Sequence, residues 1–256
     1  MIRVYKCRLV YLLHLNFRQK KFVLSESGDS YMNTAYVIKK NTKIITENNQ
    51  EKYIVRKLGN IERKPVYSAI KRAFDIVVSF TAIVFLLIPM IIISLVIIMD
   101  SSGGAVYTQE RLGKNGKEFV LYKFRTMKAD AEKNGAQWAL EDDERCTRVG
   151  KFLRATRLDE LMQLFNILKG DMSFVGPRPE RGIFYKEFSH YIDGFEQRLY
   201  VTPGLTGLAQ INGGYDLKPE EKIAYDLEYI ENRNFFSDLK IIFSTVAIIF
   251  NHNGAR

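Results

Sequence analysis

The distribution of apolar and polar positions divides the chain into three regions. Residues 1 to about 65 are polar and basic, with few periodic apolar positions; Ser25 to Ser30 reads as a loop, and Asn41 to Glu51 as poorly ordered. From Ile76 to Met99 no residue carries a charge, a run long enough to cross a bilayer, where about 20 apolar residues suffice. It lies too deep in the chain for a secretory signal. Pro89 sits past its middle, and an interior proline removes a helical hydrogen bond and clashes with the preceding turn, costing about 3 kcal/mol unless a bend is wanted. Two readings stand: a kinked spanning helix, or a re-entrant helix that turns at Ile88-Pro89 and returns to the side it entered. Hydropathy favours the first. The flanks lean toward the second, since Lys71 and Arg72 precede the run and Arg111, Lys114 and Lys117 follow it, whereas a spanning helix concentrates basic residues on one side.

Beyond Gly104 the pattern changes to that of a water-facing domain. Ala105 to Met127 alternates like strands around a turn at Gly113–Gly116, and Ala129 to Asp143 is polar, part helix and part mobile loop. Thr156 to Lys169 reads as one helix, with Leu161, Leu164, Phe165 and Leu168 as its apolar stripe and Gly170 just past its end. Phe174 to Gly214 is rich in proline and glycine, hence irregular and defined by its backbone. Pro219 opens a last pair of helices, about 219–232 and 237–250; the second is apolar nearly all round, suiting core or membrane interface. Met32 is a candidate alternative start, which would leave the first 31 residues as either an upstream artefact or a dispensable arm.

Charge narrows the partners. A net charge of +9 calls for acidic ones: nucleic acid, anionic membrane lipid or phosphorylated substrates. The basic residues are dispersed among hydrophobic elements and form no recognition motif, so no nucleic acid is expected. Cys7 and Cys146 match no disulfide framework or zinc spacing, and His14, His190 and His252 lie far apart. Neither the P-loop pattern nor a dinucleotide-binding glycine pattern occurs.

Three segments could carry chemistry. Asp159-Glu160 admits two readings. Thr156-x-x-Asp159 has capping-box spacing at a helix start, a structural use. Lys151, Arg154 and Arg157 recur every three residues just upstream, a cluster suited to phosphates, beside which a carboxylate could hold Mg²⁺ or attack phosphorus. Val175-Gly-Pro-Arg-Pro179 brackets one arginine with two prolines, so Arg178 is either a solvated turn residue or a preorganised phosphate ligand. Tyr122-Lys-Phe-Arg-Thr-Met127 presents Lys123 and Arg125 from a half-buried strand, as a basic face or as ligands. Pro203-Gly-Leu-Thr-Gly-Leu-Ala-Gln210 alone is only a loop.

Taken in order, Lys71-Arg-x-Phe-Asp75, Tyr107-x-Gln-x-Arg111, Tyr122-Lys-Phe-Arg-Thr-Met127, Arg154-x-x-x-Leu-Asp-Glu160-Leu-x-Gln-Leu-x-Asn166, Leu168-Lys-Gly-Asp-Met-Ser-Phe-Val-Gly-Pro-Arg-Pro179, Pro203-Gly-Leu-Thr-Gly-x-Ala-Gln210 and Asp238-Leu-Lys-Ile resemble the bacterial sugar transferase family. These are the monotopic polyprenyl-phosphate hexose-1-phosphate transferases, and the resemblance covers about residues 66 to 250. It implies an α/β membrane-associated fold, mainly helical with short strands, one re-entrant N-terminal membrane helix and interfacial amphipathic helices. The expected parts are a basic, poorly ordered arm (1–65), the re-entrant helix (66–104) and a catalytic domain at the cytoplasmic face (105–256). The resemblance makes Asp159 the nucleophile and a Mg²⁺ ligand, with Glu160 its assistant, and Arg154, Arg178, Arg111, Lys123, Arg125 and Gln210 substrate ligands. The expected partners are a UDP-sugar, undecaprenyl phosphate and anionic membrane lipid, at the cytoplasmic face of a bacterial inner or plasma membrane; a homodimer is compatible with this. The reaction implied moves a sugar-1-phosphate to the carrier and releases UMP, the initiating step of a surface glycan. The family's membrane proline usually follows a serine, and here Ile88 replaces it. Longer relatives carry more membrane helices, so the chain resembles a minimal form. A scaffold of the same fold with lost activity is the alternative, and the intact Asp159, Glu160, Arg154 and Arg178 argue against it.

Overall fold

The computed structural model describes residues 37, 40–47, 50–59, 64–133, 135, 143–214 and 216–250. The arm 1–31 lies outside them, as does most of the polar stretch 129–143. The part of the arm that is described is not loose. Strands β1 (Thr42–Glu47) and β2 (Gln50–Val55) form an antiparallel hairpin across the segment expected to be poorly ordered. Burial explains the difference: β2 pairs with a later strand, Val55 is fully buried, and Arg56 makes a two-pronged ion pair with Glu231 (3.0 and 2.7 Å).

Helix α1 (Pro65–Asp100) contains the apolar run. Pro65 supplies the first helical position, where its missing amide costs nothing. The helix continues through Pro89, whose ring removes the amide that would serve the Phe85 carbonyl. Asp75, Ser79, Met90 and Ile97 are buried, and Ala82, Ile83, Leu86 and Ile93 pack beside the core on the same stripe. The remaining faces expose Val77, Phe80, Val84, Phe85, Leu87 and Ile88. Thirty-six residues of this character are long and apolar enough to cross a membrane, by length and composition.

After α1 come the antiparallel pair β3 (Val106–Leu112) and β4 (Glu118–Phe124), then α2 (Arg148–Ala155), a 3-10 turn at Leu158–Met162 and α3 (Gln163–Lys169). Next are β5 (Ser173–Val175), α4 (Gly182–Tyr191), β6 (Ile192–Asp193) and a 3-10 stretch at Phe195–Tyr200. The chain ends with β7 (Gly204–Thr206), α5 (Leu208–Ile211), α6 (Pro219–Asn232) and α7 (Phe235–Phe250). β6 extends the β1–β2 hairpin in parallel, and β5 pairs in parallel with β7.

Three apolar clusters hold these pieces among the described residues; the smallest joins Val37, Ala209, Leu217, Ala224 and Tyr225, and two are larger. One gathers Val55, Val175, Phe188, Ile192, Phe195, Ile223, Leu227 and Ile230. The other joins Met90 and Ile97 of α1 to Phe119, Leu121, Phe124, Leu153, Leu164 and Ile167. Each fully buried side chain of this size contributes roughly 1.5–3 kcal/mol. Phe174 packs against both cores, and the segment that follows it carries Arg178. α7 buries Ile241 in the first core and exposes Phe236, Phe243, Val246 and Ile249.

Candidate active site

The site forms where β4, the turn at 158–162 and the loop after β5 converge. The sequence predicts one helix from Thr156 to Lys169, and the structure breaks it. Thr156 closes α2, its Oγ1 donating to the Phe152 carbonyl at 2.8 Å, so it does not cap a following helix. Arg157 adopts φ 57°, in the left-handed region that costs a non-glycine residue about 1–2 kcal/mol. Asp159 and Glu160 then sit in 3-10 geometry, and α-helix resumes at Gln163. Gly170 ends α3 in left-handed conformation, as expected. Its buried face is Gln163, Leu164, Asn166 and Ile167; Phe165 is exposed.

The two carboxylates are similarly buried, with 8% of Asp159 and 9% of Glu160 exposed, but differently employed. Arg178 grips Glu160 with both prongs, Nη2 to Oε1 at 2.6 Å and Nη1 to Oε2 at 3.3 Å, and Lys123 Nζ adds a contact at 3.4 Å. Burial would raise the Glu160 pKa, but Arg178 and Lys123 outweigh it and hold the carboxyl well below its usual range. Asp159 has only Lys123 as ion-pair partner among the described residues, at 3.8 Å, beyond hydrogen-bond reach. Burial raises its pKa, Lys123 opposes that, and Glu160 adds repulsion. One carboxylate is tied down by two cations, and the other beside it has a single, longer ion pair among the described residues.

The sequence-predicted ligands fare unequally. Lys123 and Arg178 converge on the pair. Arg154 stands close enough for its charge to act on Asp159, and its Nη1 donates to Cys146 Sγ at 2.8 Å. Gly150 lets α2 approach, since a Cβ there would lie 1.9 Å from the Thr126 carbonyl oxygen. Arg125 is spent elsewhere, its guanidinium donating to the carbonyls of Ser101, Ser102 and Gly103 just past α1. Arg111 donates to the Pro179 carbonyl (3.0 Å) and to Gln109. Among the described residues no hydrogen bond or ion pair joins Arg125, Arg111 or Gln210 to either carboxylate. Both amide atoms of Gln210 are buried and unpartnered among the described residues.

Other residues that build the site belong to the family-like motifs, though the sequence assigned them no role. Asn166, fully buried, donates to the Val120 carbonyl (2.7 Å) and accepts from the Tyr122 amide (3.0 Å). It thus acts as a strand partner for β4 and fixes Lys123 beside the turn. Its traces in the sequence were its place at the end of the Arg154–Asn166 motif and a polar residue on the buried face of an apolar helix. The Arg178 loop rests backbone on backbone: a Cβ on Gly204 would lie 2.1 Å from the Gly176 amide nitrogen, and one on Gly207 2.2 Å from the Gly176 carbonyl oxygen.

Among the described residues no group of three or more His, Cys, Asp or Glu side chains gathers as a metal site. Mg²⁺ does not require one, because it is commonly held by one or two carboxylates together with substrate phosphates. Asp159 fits that use, being a buried carboxylate whose one ion-pair partner among the described residues, Lys123, stands 3.8 Å away.

Residues 66–252 match the bacterial sugar transferase family. An Aeromonas hydrophila protein named UDP-N-acetylgalactosamine-undecaprenyl-phosphate N-acetylgalactosaminephosphotransferase is 41% identical over 202 residues, 78% of this chain and 48% of the relative. A Bacillus subtilis protein, provisionally named an undecaprenyl-phosphate N-acetylgalactosaminyl 1-phosphate transferase, is 53% identical over 138 residues, 54% of this chain and 77% of its own. A Salmonella typhimurium undecaprenyl-phosphate galactose phosphotransferase is 37% identical over 201 residues, 73% of this chain and 41% of its own. The chain spans less than half the length of the Aeromonas and Salmonella relatives.

Proposed function

From the premise that the chain belongs to the bacterial sugar transferase family, we propose that it transfers a sugar-1-phosphate from a UDP-sugar to undecaprenyl phosphate through a covalent intermediate on Asp159. The unequal employment of the two carboxylates carries this reading. An oxygen of Asp159 attacks the sugar-side phosphorus, the bond from that phosphorus to the bridging oxygen breaks, and UMP leaves. A phosphate oxygen of the carrier then attacks the same phosphorus, the acyl-phosphate bond breaks, and the Asp159 carboxylate is regenerated with polyprenyl-diphospho-sugar as product. Splitting one transfer into two is the ordinary use of a nucleophilic carboxylate. Arg178 and Lys123, held by Glu160, would take up charge on the transferring phosphoryl group, and Arg154 adds positive charge near Asp159. Mg²⁺, carried by Asp159 with the diphosphate, supplies further neutralisation when bound.

Contacts at both ends of α1 support the membrane arrangement proposed here. Near its start Arg72 donates to the Ile167 and Leu168 carbonyls (2.7 and 2.8 Å), capping α3. At its end Asp100 accepts from the Val149 amide at the start of α2 (3.2 Å). Residues 72 and 100 of a straight helix would stand about 42 Å apart at 1.5 Å per residue, more than the roughly 30 Å hydrocarbon core. Both ends instead meet elements of one compact domain, which supports a re-entrant helix entering and leaving at the cytoplasmic face. The exposed apolar face of α7 suits the interface beside it.

The test is UMP release. Purified protein in nanodiscs, given Mg²⁺, undecaprenyl phosphate and a panel of UDP-sugars, should release UMP with at least one of them. N-acetylgalactosamine and galactose donors come first, as the sugars in the relatives' names. Silence across the panel from folded protein would favour a scaffold of the same fold.

A further inference from the structure

The geometry points to a buried clamp, built by Arg198 with Arg111 and Glu180, that fixes the backbone of the Arg178 loop and so aims Arg178 at the carboxylate pair. It deepens the reading above and rests on it for its catalytic consequence. Arg198 lies in the 3-10 stretch after β6, which no motif marks, and only 4% of it is exposed. Its Nη2 donates to the Arg178 carbonyl at 3.0 Å and pairs with Asp226 of α6 at 2.8 Å, while its Nη1 stands 4.0 Å from Glu180. The guanidinium also lies over the Phe195 ring, 5.0 Å from its centroid. Arg111 approaches from β3, donating to the Pro179 carbonyl and pairing with Glu180 at 3.5 Å.

The loop's four consecutive carbonyls are all occupied. Pro177 accepts from the Gly204 amide (2.9 Å), Arg178 from Arg198, Pro179 from Arg111 and Glu180 from the Leu112 amide (3.1 Å). Prolines at 177 and 179 have no amide to offer a competing bond. A buried ion pair contributes little to stability for its desolvation cost and is often replaceable by apolar residues. A guanidinium that spans Asp226 and a loop carbonyl does something an apolar pair could not: it sets where Arg178 begins. Arg198 is therefore a positioning residue, acting through Arg178.

A double-mutant cycle separates positioning from structural support. The readouts are single-turnover UMP release and hydrogen exchange at the Leu112 and Gly204 amides, whose acceptors are the Glu180 and Pro177 carbonyls. Arg198→Met should slow UMP release about 100-fold, the scale of a 1 Å misplacement, and speed exchange at both amides. In an Arg178→Ala background it should cost no further rate. Arg198→Lys keeps a charge opposite Asp226 without the fork; it should fall between wild type and Arg198→Met, and it serves if the latter does not fold. Equal losses in both backgrounds, or unchanged exchange at both amides, would overturn the clamp. If wild-type protein releases no UMP from any UDP-sugar, the proposed reaction fails, and exchange alone still decides whether Arg198 fixes the loop.

Discussion

Neutralising each carboxylate of the pair in turn should affect stability unequally. Glu160→Gln removes the charge that Arg178 grips at 2.6 and 3.3 Å and Lys123 at 3.4 Å, leaving two half-buried cations with reduced compensation. Breaking a buried pair by removing one partner costs about 3–5 kcal/mol; glutamine keeps one acceptor for Arg178, so a loss of roughly 2–4 kcal/mol is expected. At about 2–4 °C per kcal/mol for a domain of this size, the melting temperature should fall by roughly 5–15 °C. Asp159→Asn loses one contact at 3.8 Å and is relieved of burial of charge and of repulsion from Glu160, so its stability should match or exceed wild type. The pH dependence carries the same signs. Glu160 titrates below its unfolded pKa of about 4.3, so its stabilisation is present above that pH and fades as pH falls toward the folded value. Asp159 titrates above its unfolded pKa of about 3.9, so what it contributes below that pH is lost as pH rises through the folded value. Thermal unfolding in nanodiscs, followed by circular dichroism at neutral and acidic pH, measures both. Equal destabilisation by the two substitutions would refute the asymmetry.

Further outcomes follow from the fold. In a cysteine-free background, cysteines placed at Ser68 and Gly104 should both label from the cytoplasmic side; labelling from opposite faces would make α1 a spanning helix. A chain starting at Met32 should keep its specific activity, whereas one starting at Lys64 loses β2 with buried Val55 and the Arg56–Glu231 pair, and should melt several degrees lower. Gly204→Ala should lower UMP release sharply and cost about 1–3 kcal/mol, because the added Cβ meets the Gly176 amide nitrogen at 2.1 Å; wild-type kinetics would contradict the backbone contact.

What could be read in the sequence was what depends on local pattern. The uncharged run, the strand pair around Gly113–Gly116, the cap at Gly170 and the last two helices each follow from spacing or from a residue with one strong backbone preference. The β1–β2 hairpin was missed because its strands, Thr-Lys-Ile-Ile-Thr-Glu and Gln-Glu-Lys-Tyr-Ile-Val, are mostly polar and bury little beyond Val55. The break at Arg157 was hidden because an apolar pattern at three and four residue spacing fits a 3-10 turn followed by a helix nearly as well as one helix. Arg111 and Arg125 look like phosphate ligands in composition. In this structure Arg111 donates to a main-chain carbonyl 68 residues away and to the Gln109 side chain, and Arg125 to carbonyls about 22–24 residues away; nothing local distinguishes a carbonyl from a phosphate as the target of a guanidinium. Arg198 and Asn166 reach their partners only once distant segments have packed.

The central claim is that Asp159 becomes covalently attached to the sugar phosphate. The direct measurement is UMP release from an accepted UDP-sugar without any polyprenyl phosphate, followed by mass spectrometry of the peptide containing Asp159 and Glu160. The account predicts a burst of about one UMP per active site that then stops, as two-step covalent catalysis requires, with the sugar-phosphate mass on Asp159. Asp159→Asn should abolish the burst, whereas Glu160→Gln should still form the adduct, more slowly. No UMP before the carrier is added, or an adduct on Glu160, would contradict it.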